Sequence, residues 1–414
     1  MKNQEKSITD NETRQTLWVV TELYYPEETS TGYYLTRIAE GLTDDFEVKV
    51  LCGQPNYSAR GTKAAKRENH QKVEIFRAGG TTLDKNIIVF RLINMLTLSL
   101  SVFFKAVRYF RKGDKILVVT TPPSLPFITA FSCLLKGASY ILLIHDNYPE
   151  ILIAAKKSKE NSFFVNILNY FNRWLYKYAN KIIVCGRDMF ELVKKKTEGL
   201  DIPIETIQNW AELENVRPFP RAENELLKEL QIEDQLVFLY AGNMGYPNDL
   251  ESIIECAFKL KDDERFCFVF LGAGVKRKWL EREIAEKSLK NIKLLDSRPR
   301  SEQNIFLNAC DVAVVTLVKK MWGVSMPSRT YNILAAGKPI LALTEKDSEI
   351  AKVVEEDLVG WTVPPNEPAE LLQKIFEIYE SKEKFAEMGK NARRSALEKY
   401  SLETALKKYK TALK

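Results

Sequence analysis

Histidine is nearly absent: two, His70 and His145, occur in 414 residues. The six cysteines, Cys52, Cys133, Cys185, Cys256, Cys267 and Cys310, sit mostly inside apolar runs, with no CxxC and no histidine at a ligand spacing. A metal cage is excluded on these counts, and the thiols read as buried groups of a reducing compartment. An excess of one charge is missing too. Sixty-one basic residues against 55 acidic ones leave +6, too small a balance to argue for a nucleic-acid binder. The first sixteen residues have no apolar core, so the expectation is a mobile leader, no secretory signal and a cytoplasmic chain. The longest apolar run, residues 92–104, falls short of the roughly 20 residues that a bilayer crossing takes. Lying on a membrane stays open.

What is there is a rhythm. With 45% hydrophobic residues the chain suggests two domains, each with its own core. Short runs rich in Val, Ile and Leu ("LWVVTEL", "EVKVLCG", "KILVVTT", "SYILLIHD", "KIIVCG") alternate with helical patterns, and the rhythm returns in "LVFLYAGN", "FCFVFLG", "IKLLDS", "VAVVTLV" and "PILAL". Continuous apolarity marks strands buried on both faces, the habit of parallel sheets covered by helices. The class is α/β, with two doubly wound domains. A polar stretch with Pro218 and Pro220 places the linker near residues 211–222. Ligands of such sheets bind beyond the carboxyl ends of the strands, so candidate residues follow strands.

The loop after the first strand brings Thr31 and Gly32 to a helix start, which suits either an anion or an ordinary N-cap. "HDNYPE" places His145, Asp146 and Glu150 at another strand end, where His145 competes between a functional and a hydrogen-bonded structural role. In the second half, Gly242, Asn243 and Gly245 follow one strand, and Gly272, Gly274, Lys276, Arg277 and Lys278 follow the next. Arg277 stands where a third fingerprint glycine would be, so the pattern fits a diphosphate better than a dinucleotide. "MPSRTYNILAAGKPILAL" then puts Ser328, Arg329, Tyr331 and Asn332 at the mouth of a helix. A guanidinium there opposes the helix dipole by roughly 0.3–1 kcal/mol. A bound phosphate reverses that balance, since a hydrogen bond to a charged group contributes about 1.5–3 kcal/mol; the competing reading turns Arg329 to solvent or to a surface acid.

These segments, with "YYPE", "TTPPSLP", "QNW", "YAGNMG" and "LGAG", resemble the retaining, nucleotide-sugar-dependent glycosyltransferases of family 4, over nearly the whole chain from Leu17. The likeness looks closest to the branch that builds cell-surface polysaccharides and glycolipids, similar to the fucosamine-transferase type. It implies a GT-B fold: a leader at 1–16, an acceptor-side domain at 17–215, a donor domain at 216–395, and a terminal helix at 396–414 crossing back. It also implies a nucleotide diphosphate sugar as donor, a lipid-linked or glycan acceptor, no metal or other cofactor, and contact with the inner membrane face. By the resemblance, Gly32 lies on the acceptor side, His145 near the anomeric centre, Arg329 and Lys276 at the diphosphate, Asn332 at the ribose, and Glu349 against either substrate. Many members carry two glutamates spaced ExxxxxxxE; here those positions hold Val324 and Asn332, and the usual Arg and Lys after the donor domain's first strand are replaced by Asn243 and, approximately, Asn248. A nucleotide-sugar 2-epimerase, an inactive GT-B scaffold and, on fold alone, an NAD-dependent oxidoreductase are the alternatives.

Overall fold

The computed structural model describes residues 14–55, 64–83 and 87–414. Nearly all of the expected leader lies outside them. The first domain comprises β1 (Thr16–Val20), α1 (Ser30–Gly41), β2 (Glu47–Cys52), β3 (Arg67–His70), β4 (Val73–Arg77), α2 (Ile88–Tyr109), β5 (Lys115–Val119), α3 (Leu125–Lys136), β6 (Ser139–Ile144), α4 (Glu150–Ala154), α5 (Phe163–Lys177), β7 (Lys181–Val184), α6 (Arg187–Lys196) and β8 (Ile204–Thr206). Its eight strands run in the order β3-β4-β2-β1-β5-β6-β7-β8, parallel except for the β3–β4 hairpin at one edge. The second comprises α7 (Glu225–Leu230), β9 (Leu236–Ala241), α8 (Leu250–Lys259), β10 (Phe266–Leu271), α9 (Arg277–Lys287), β11 (Ile292–Leu295), α10 (Gln303–Asn308), β12 (Val312–Thr316), α11 (Arg329–Ala335), β13 (Ile340–Leu343), α12 (Glu349–Glu356), β14 (Gly360–Val363), α13 (Pro368–Glu380) and α14 (Phe385–Glu398). Its six strands are all parallel, in the order β11-β10-β9-β12-β13-β14. This is the GT-B arrangement of two Rossmann-like domains.

The central strands need both faces covered. Leu117, Val118 and Leu142 in the first sheet and Val237, Val269 and Val315 in the second are all buried. Burial of each such side chain contributes about 1.5–3 kcal/mol, which is why these runs lack the alternation of a half-exposed sheet. All six cysteines are buried and free, and burial pushes each thiol up to about 12.

Residues 207–224 join the domains with no strand. Tyr34 on α1 donates to the Trp210 carbonyl at 3.0 Å and stacks edge-on against its indole, so the "QNW" segment is pinned to the first domain. The final helix, α15 (Leu402–Leu413), crosses back. Lys115 Nζ donates to the Leu413 carbonyl at 2.7 Å, Lys410 pairs with Asp45 at 2.9 Å, and Leu406 lies so close to Gly41 that a Cβ there would meet it at 2.4 Å. The crossing starts after α14 ends at Glu398, slightly later than the residue-396 boundary.

One expectation about length is corrected. The apolar run at 92–104 extends into a 22-residue helix, and α2 is long and apolar enough to cross a membrane by length and composition. Leu98, Val102 and Ala106 form a buried stripe at i, i+4 spacing, however, so one face of α2 packs on the first domain while most of the helix stays outside the core.

Candidate active site

Strand ends of the two domains meet in a cleft, and short contacts fix how they meet. Asp146, just beyond β6, forms a two-residue β-bridge with Ser325 of the second domain. Beside it, the Asn147 backbone donates to the Val324 carbonyl at 2.8 Å and its side-chain amide to the Gly323 carbonyl at 2.7 Å. Ser30 at the start of α1 and Ser328 before α11 bring their hydroxyls to 2.7 Å. The α1 mouth, the β6 end and the turn into α11 are therefore one neighbourhood. Val324, where the resemblance implies a glutamate, is buried beside this bridge.

Arg329 opens α11 and folds back over β9. Its guanidinium carbon stands 4.6 Å from the Tyr240 ring centre, a cation–π contact. It also fills the space where a Gly242 side chain would be: a Cβ at that position, where φ is +152°, would come within 2.8 Å of the guanidinium. Its Nη1 is buried with no hydrogen-bond partner. A cation so held lacks an anion, and leaving a buried donor unmet costs about 1–3 kcal/mol. The glycine loops beside it are fitted to each other: a Cβ on Gly272 would meet the Gly242 carbonyl at 2.1 Å, and one on Gly274 the Met244 carbonyl at 2.6 Å. Asn243 is exposed at this rim and Gly245 is buried beneath it.

The other cations expected at the diphosphate are occupied. Lys276 is buried, and its Nζ donates to the Asn248 carbonyl at 2.7 Å and pairs with Glu251 at 2.8 Å, fastening the β10–α9 loop to the β9–α8 loop. Arg277 donates to the Gly272 and Leu295 carbonyls at 2.7 and 2.8 Å and pairs with Glu281 and Asp296, clamping the ends of β10 and β11. Asn248 is likewise turned inward, donating to the Asn243 carbonyl at 3.0 Å.

Asn332 is corrected as well. It is buried; its Oδ1 accepts from the Glu212 backbone at 2.8 Å, and its Nδ2 donates to Gln303 at 3.0 Å and reaches the Glu212 carboxylate at 3.4 Å. It holds the linker to α11, with Arg300 completing the cluster by pairing with Glu212 and covering the Tyr33 ring at 3.9 Å. Tyr331 is a core residue against Tyr400, with ring centres 5.0 Å apart. Glu349, 1% exposed, joins the domains: its Oε2 accepts from the backbone and side chain of Arg187 at 2.8 and 2.9 Å, while its Oε1 is buried without a partner.

On the acceptor side, the Gly32 N–H is taken by the Thr29 hydroxyl at 3.3 Å, so the N-cap reading holds for that donor, while Thr31 is half-buried at the same turn. Glu150 pairs with Lys196 of α6 at 2.7 Å. His145 and Asp146 lack such ties. Both backbone N–H groups go to the Thr120 hydroxyl, and the His145 Nε2 is buried with no partner. Burial lowers the His145 pKa to about 4 and pushes the Asp146 carboxyl up to about 6. At neutral pH the imidazole is uncharged.

The sequence reading missed Tyr240, Asn147, Glu212 and Arg300. Asn147, inside "HDNYPE", and Tyr240, inside "YAGNMG", carried a local signal; Glu212 and Arg300 owe their place to tertiary contacts. Among the described residues, no three His, Cys, Asp or Glu side chains cluster as a metal site.

Comparison with known proteins agrees with this fold. Residues 222–395 match the family described as glycosyl transferases group 1. The chain is 29% identical over 364 residues to a probable glycosyltransferase, WbjE, of Pseudomonas aeruginosa, covering 88% of this chain and 89% of that one. It is 25% identical over 350 residues to a putative colanic acid biosynthesis glycosyl transferase, WcaI, of Escherichia coli, covering 80% and 84%. Among solved structures it superposes on a sucrose-phosphate synthase of Thermosynechococcus elongatus with a TM-score of 0.76 at 13% identity, covering 96% and 98% of the two chains. Anabaena HepE in complex with UDP-glucose gives 0.71 at 16% identity, covering 97% and 99%. The second domain thus carries the match to the group 1 glycosyl transferases, in a chain with the GT-B fold.

Proposed function

We propose that the protein transfers a sugar from a nucleoside diphosphate sugar to a lipid-linked or glycan acceptor, with retention of anomeric configuration and without a metal ion. The observation that carries this reading is Arg329: a guanidinium fixed by Tyr240 and Gly242 at the strand ends, with a buried N–H lacking an acceptor. A diphosphate supplies that acceptor. The complexes of HepE with UDP and with UDP-glucose support a uridine nucleotide as the first donor to try. The likeness to WbjE and WcaI supports the branch that builds cell-surface polysaccharides and glycolipids, of which the fucosamine-transferase type is our finer assignment.

In the step proposed, the bond from the anomeric carbon to the leaving phosphate oxygen breaks. An acceptor hydroxyl attacks on the same face, and its proton passes to that phosphate oxygen. Arg329 stabilises the charge that develops on the diphosphate. Neutral His145 accepts or donates a hydrogen bond without a proton-transfer role, positioning sugar or acceptor. Removal of two carboxylates from the family pattern lessens the cation requirement, which fits the single uncommitted guanidinium among those expected at the diphosphate.

Incubation with UDP-, GDP- and ADP-sugars and a membrane lipid extract tests the reading. Transfer to lipid with the donor's anomeric configuration, read by NMR, supports it. Epimerised donor turns it to the 2-epimerase, and failure to bind any nucleotide sugar turns it to the inactive scaffold.

A further inference from the structure

Helices α6 and α12 belong to different domains, and their N-termini meet. Each brings an acid to the other's mouth. Asp188, in the first turn of α6, accepts from the Glu349 backbone N–H at 3.0 Å, and Glu349, in the first turn of α12, accepts from the Arg187 backbone N–H at 2.8 Å. The first turn of a helix leaves N–H groups without intrahelical acceptors and carries the positive end of the dipole. Here a carboxylate from across the domain boundary meets that need on both sides, and both acids are buried. Gly186 leaves room for the approach, since a Cβ there would meet the Glu349 side chain at 3.1 Å.

Asp188 reaches one residue further. The oxygen that takes the Glu349 N–H also takes the Gly323 N–H at 3.1 Å, while its other oxygen accepts from Met189 at 2.7 Å. Bonds from backbone N–H groups to a carboxylate are among the stronger ones. Gly323 is thereby held by both of its backbone polar groups: its N–H by Asp188 beyond β7, and its carbonyl by the Asn147 amide beyond β6 at 2.7 Å. It stands in the left-handed region at φ +69°, and a Cβ on it would meet the Leu192 side chain at 2.8 Å and the Asp188 carbonyl at 2.9 Å. Two residues on, Ser325 is bridged to Asp146, and the chain then turns into Arg329. One carboxylate therefore ties together the mouth of α6, the mouth of α12 and the segment that leads to Arg329.

We propose that Asp188 is a positioning residue: by fixing Gly323 and the mouth of α12, it sets the register between the His145–Asp146 strand end and the turn that carries Arg329. It acts through backbone, on the alignment of the two domains. The Arg329 guanidinium is held within the second domain by Tyr240 and Gly242, so nucleotide binding does not depend on this joint, whereas alignment of the acceptor side with the donor does. The joint stands on the contacts themselves; its effect on sugar transfer rests on the function proposed above.

The test compares the full-length parent with Asp188→Asn and Gly323→Ala. The amide keeps the shape of the acid but points an N–H group at backbone N–H groups. The added methyl pushes on Leu192 and changes no charge, and it keeps the test open should the first variant not fold. Both should enlarge the radius of gyration in X-ray scattering and lower kcat for sugar transfer by about tenfold to a hundredfold, with UDP affinity by calorimetry within about threefold of the parent. Asp188→Glu, which keeps two acceptor oxygens, should recover part of the kcat. Scattering unchanged in both variants overturns the joint, and kcat unchanged in both overturns its effect on transfer. UDP affinity that falls in step with kcat also overturns the proposal, because general loss of structure moves the two together. A parent that transfers no sugar overturns the function proposed above and the effect on transfer with it, while scattering still decides the joint, so the two failures are distinguishable.

Discussion

The mouths of α9 and α11 are the same device in two states. Each is a helix start just beyond the second sheet, and each carries a basic side chain that the helix dipole disfavours. At α9, Arg277 is consumed by two backbone carbonyls and two carboxylates, and Lys276 by a carbonyl and Glu251. At α11, Arg329 has a ring face below it, a glycine beside it and a buried N–H with nothing to donate to. Position and residue type are alike, so neither distinguishes a binding cation from a structural one. The partners do.

Replacing Arg329 by Ala is the largest expected break. Removing a preorganised cation from developing phosphate charge should lower kcat/KM by about a hundredfold or more and weaken UDP binding by at least about tenfold, while Tm barely moves. Unchanged UDP affinity by calorimetry would sink its assignment. Gly242→Ala should act in the same direction, because the new methyl would occupy the place of the guanidinium.

Next comes the pair on the first domain's side, His145 and Asp146, also short of side-chain partners. The His145 pKa in the folded chain, about 4, lies below its usual 6.5, so its contribution to stability rises with pH through that window. The Asp146 value, about 6, lies above its usual 3.8, so its contribution falls as pH rises through nearly the same window. Each shift corresponds to about 3 kcal/mol, and in the parent the two largely cancel. Asp146→Asn should therefore leave a chain that gains stability from pH 4 to 6.5, and His145→Gln one that loses it. Denaturant unfolding at several pH values checks both, and parallel curves for the two variants would refute the burial assigned to these groups.

The frame of this molecule was legible in sequence because buried parallel strands write themselves as unbroken apolar runs. Ten of the fourteen strands among the described residues follow from that rule, and β14, "GWTV", half-buried and exposed along most of its length, does not. β3, β4 and β8 did not: "RENH" is a polar edge strand of half-buried and exposed residues, "VEIFR" is interrupted by charge, and "IET" is too short to show a period. The site was legible as a set of strand ends and not as a set of roles. Lys276, Arg277, Asn332 and Glu349 were placed at substrate by resemblance, and each is held by contacts to residues between 5 and 162 positions away. For Lys276, Asn332 and Glu349 the partner lies 28 to 162 positions away, a distance no local pattern records.

Arg277→Ala sharpens the comparison from the structural side. It removes two bonds to backbone carbonyls and two half-exposed ion pairs, so a loss of about 1–3 kcal/mol in stability is expected. UDP affinity should stay within about twofold of the parent, since the guanidinium does not face the donor site. Weakened UDP binding with unchanged stability would reverse the roles assigned to the two helix mouths.

Ser328→Ala should have the smallest effect, and for that reason it isolates the charge. Ser328 neighbours Arg329 and joins Ser30 across the cleft at 2.7 Å, but the pair is exposed and neutral. A bond of that kind contributes about 0.5–1.5 kcal/mol at most, and water replaces it readily at the surface. UDP affinity should change less than about threefold, with the remaining effect on closure of one domain against the other. Were this variant to lose as much affinity as Arg329→Ala, the shape of the turn and not its cation would hold the diphosphate, and the contrast between the two helix mouths would lie in backbone geometry instead of in the unpaired guanidinium.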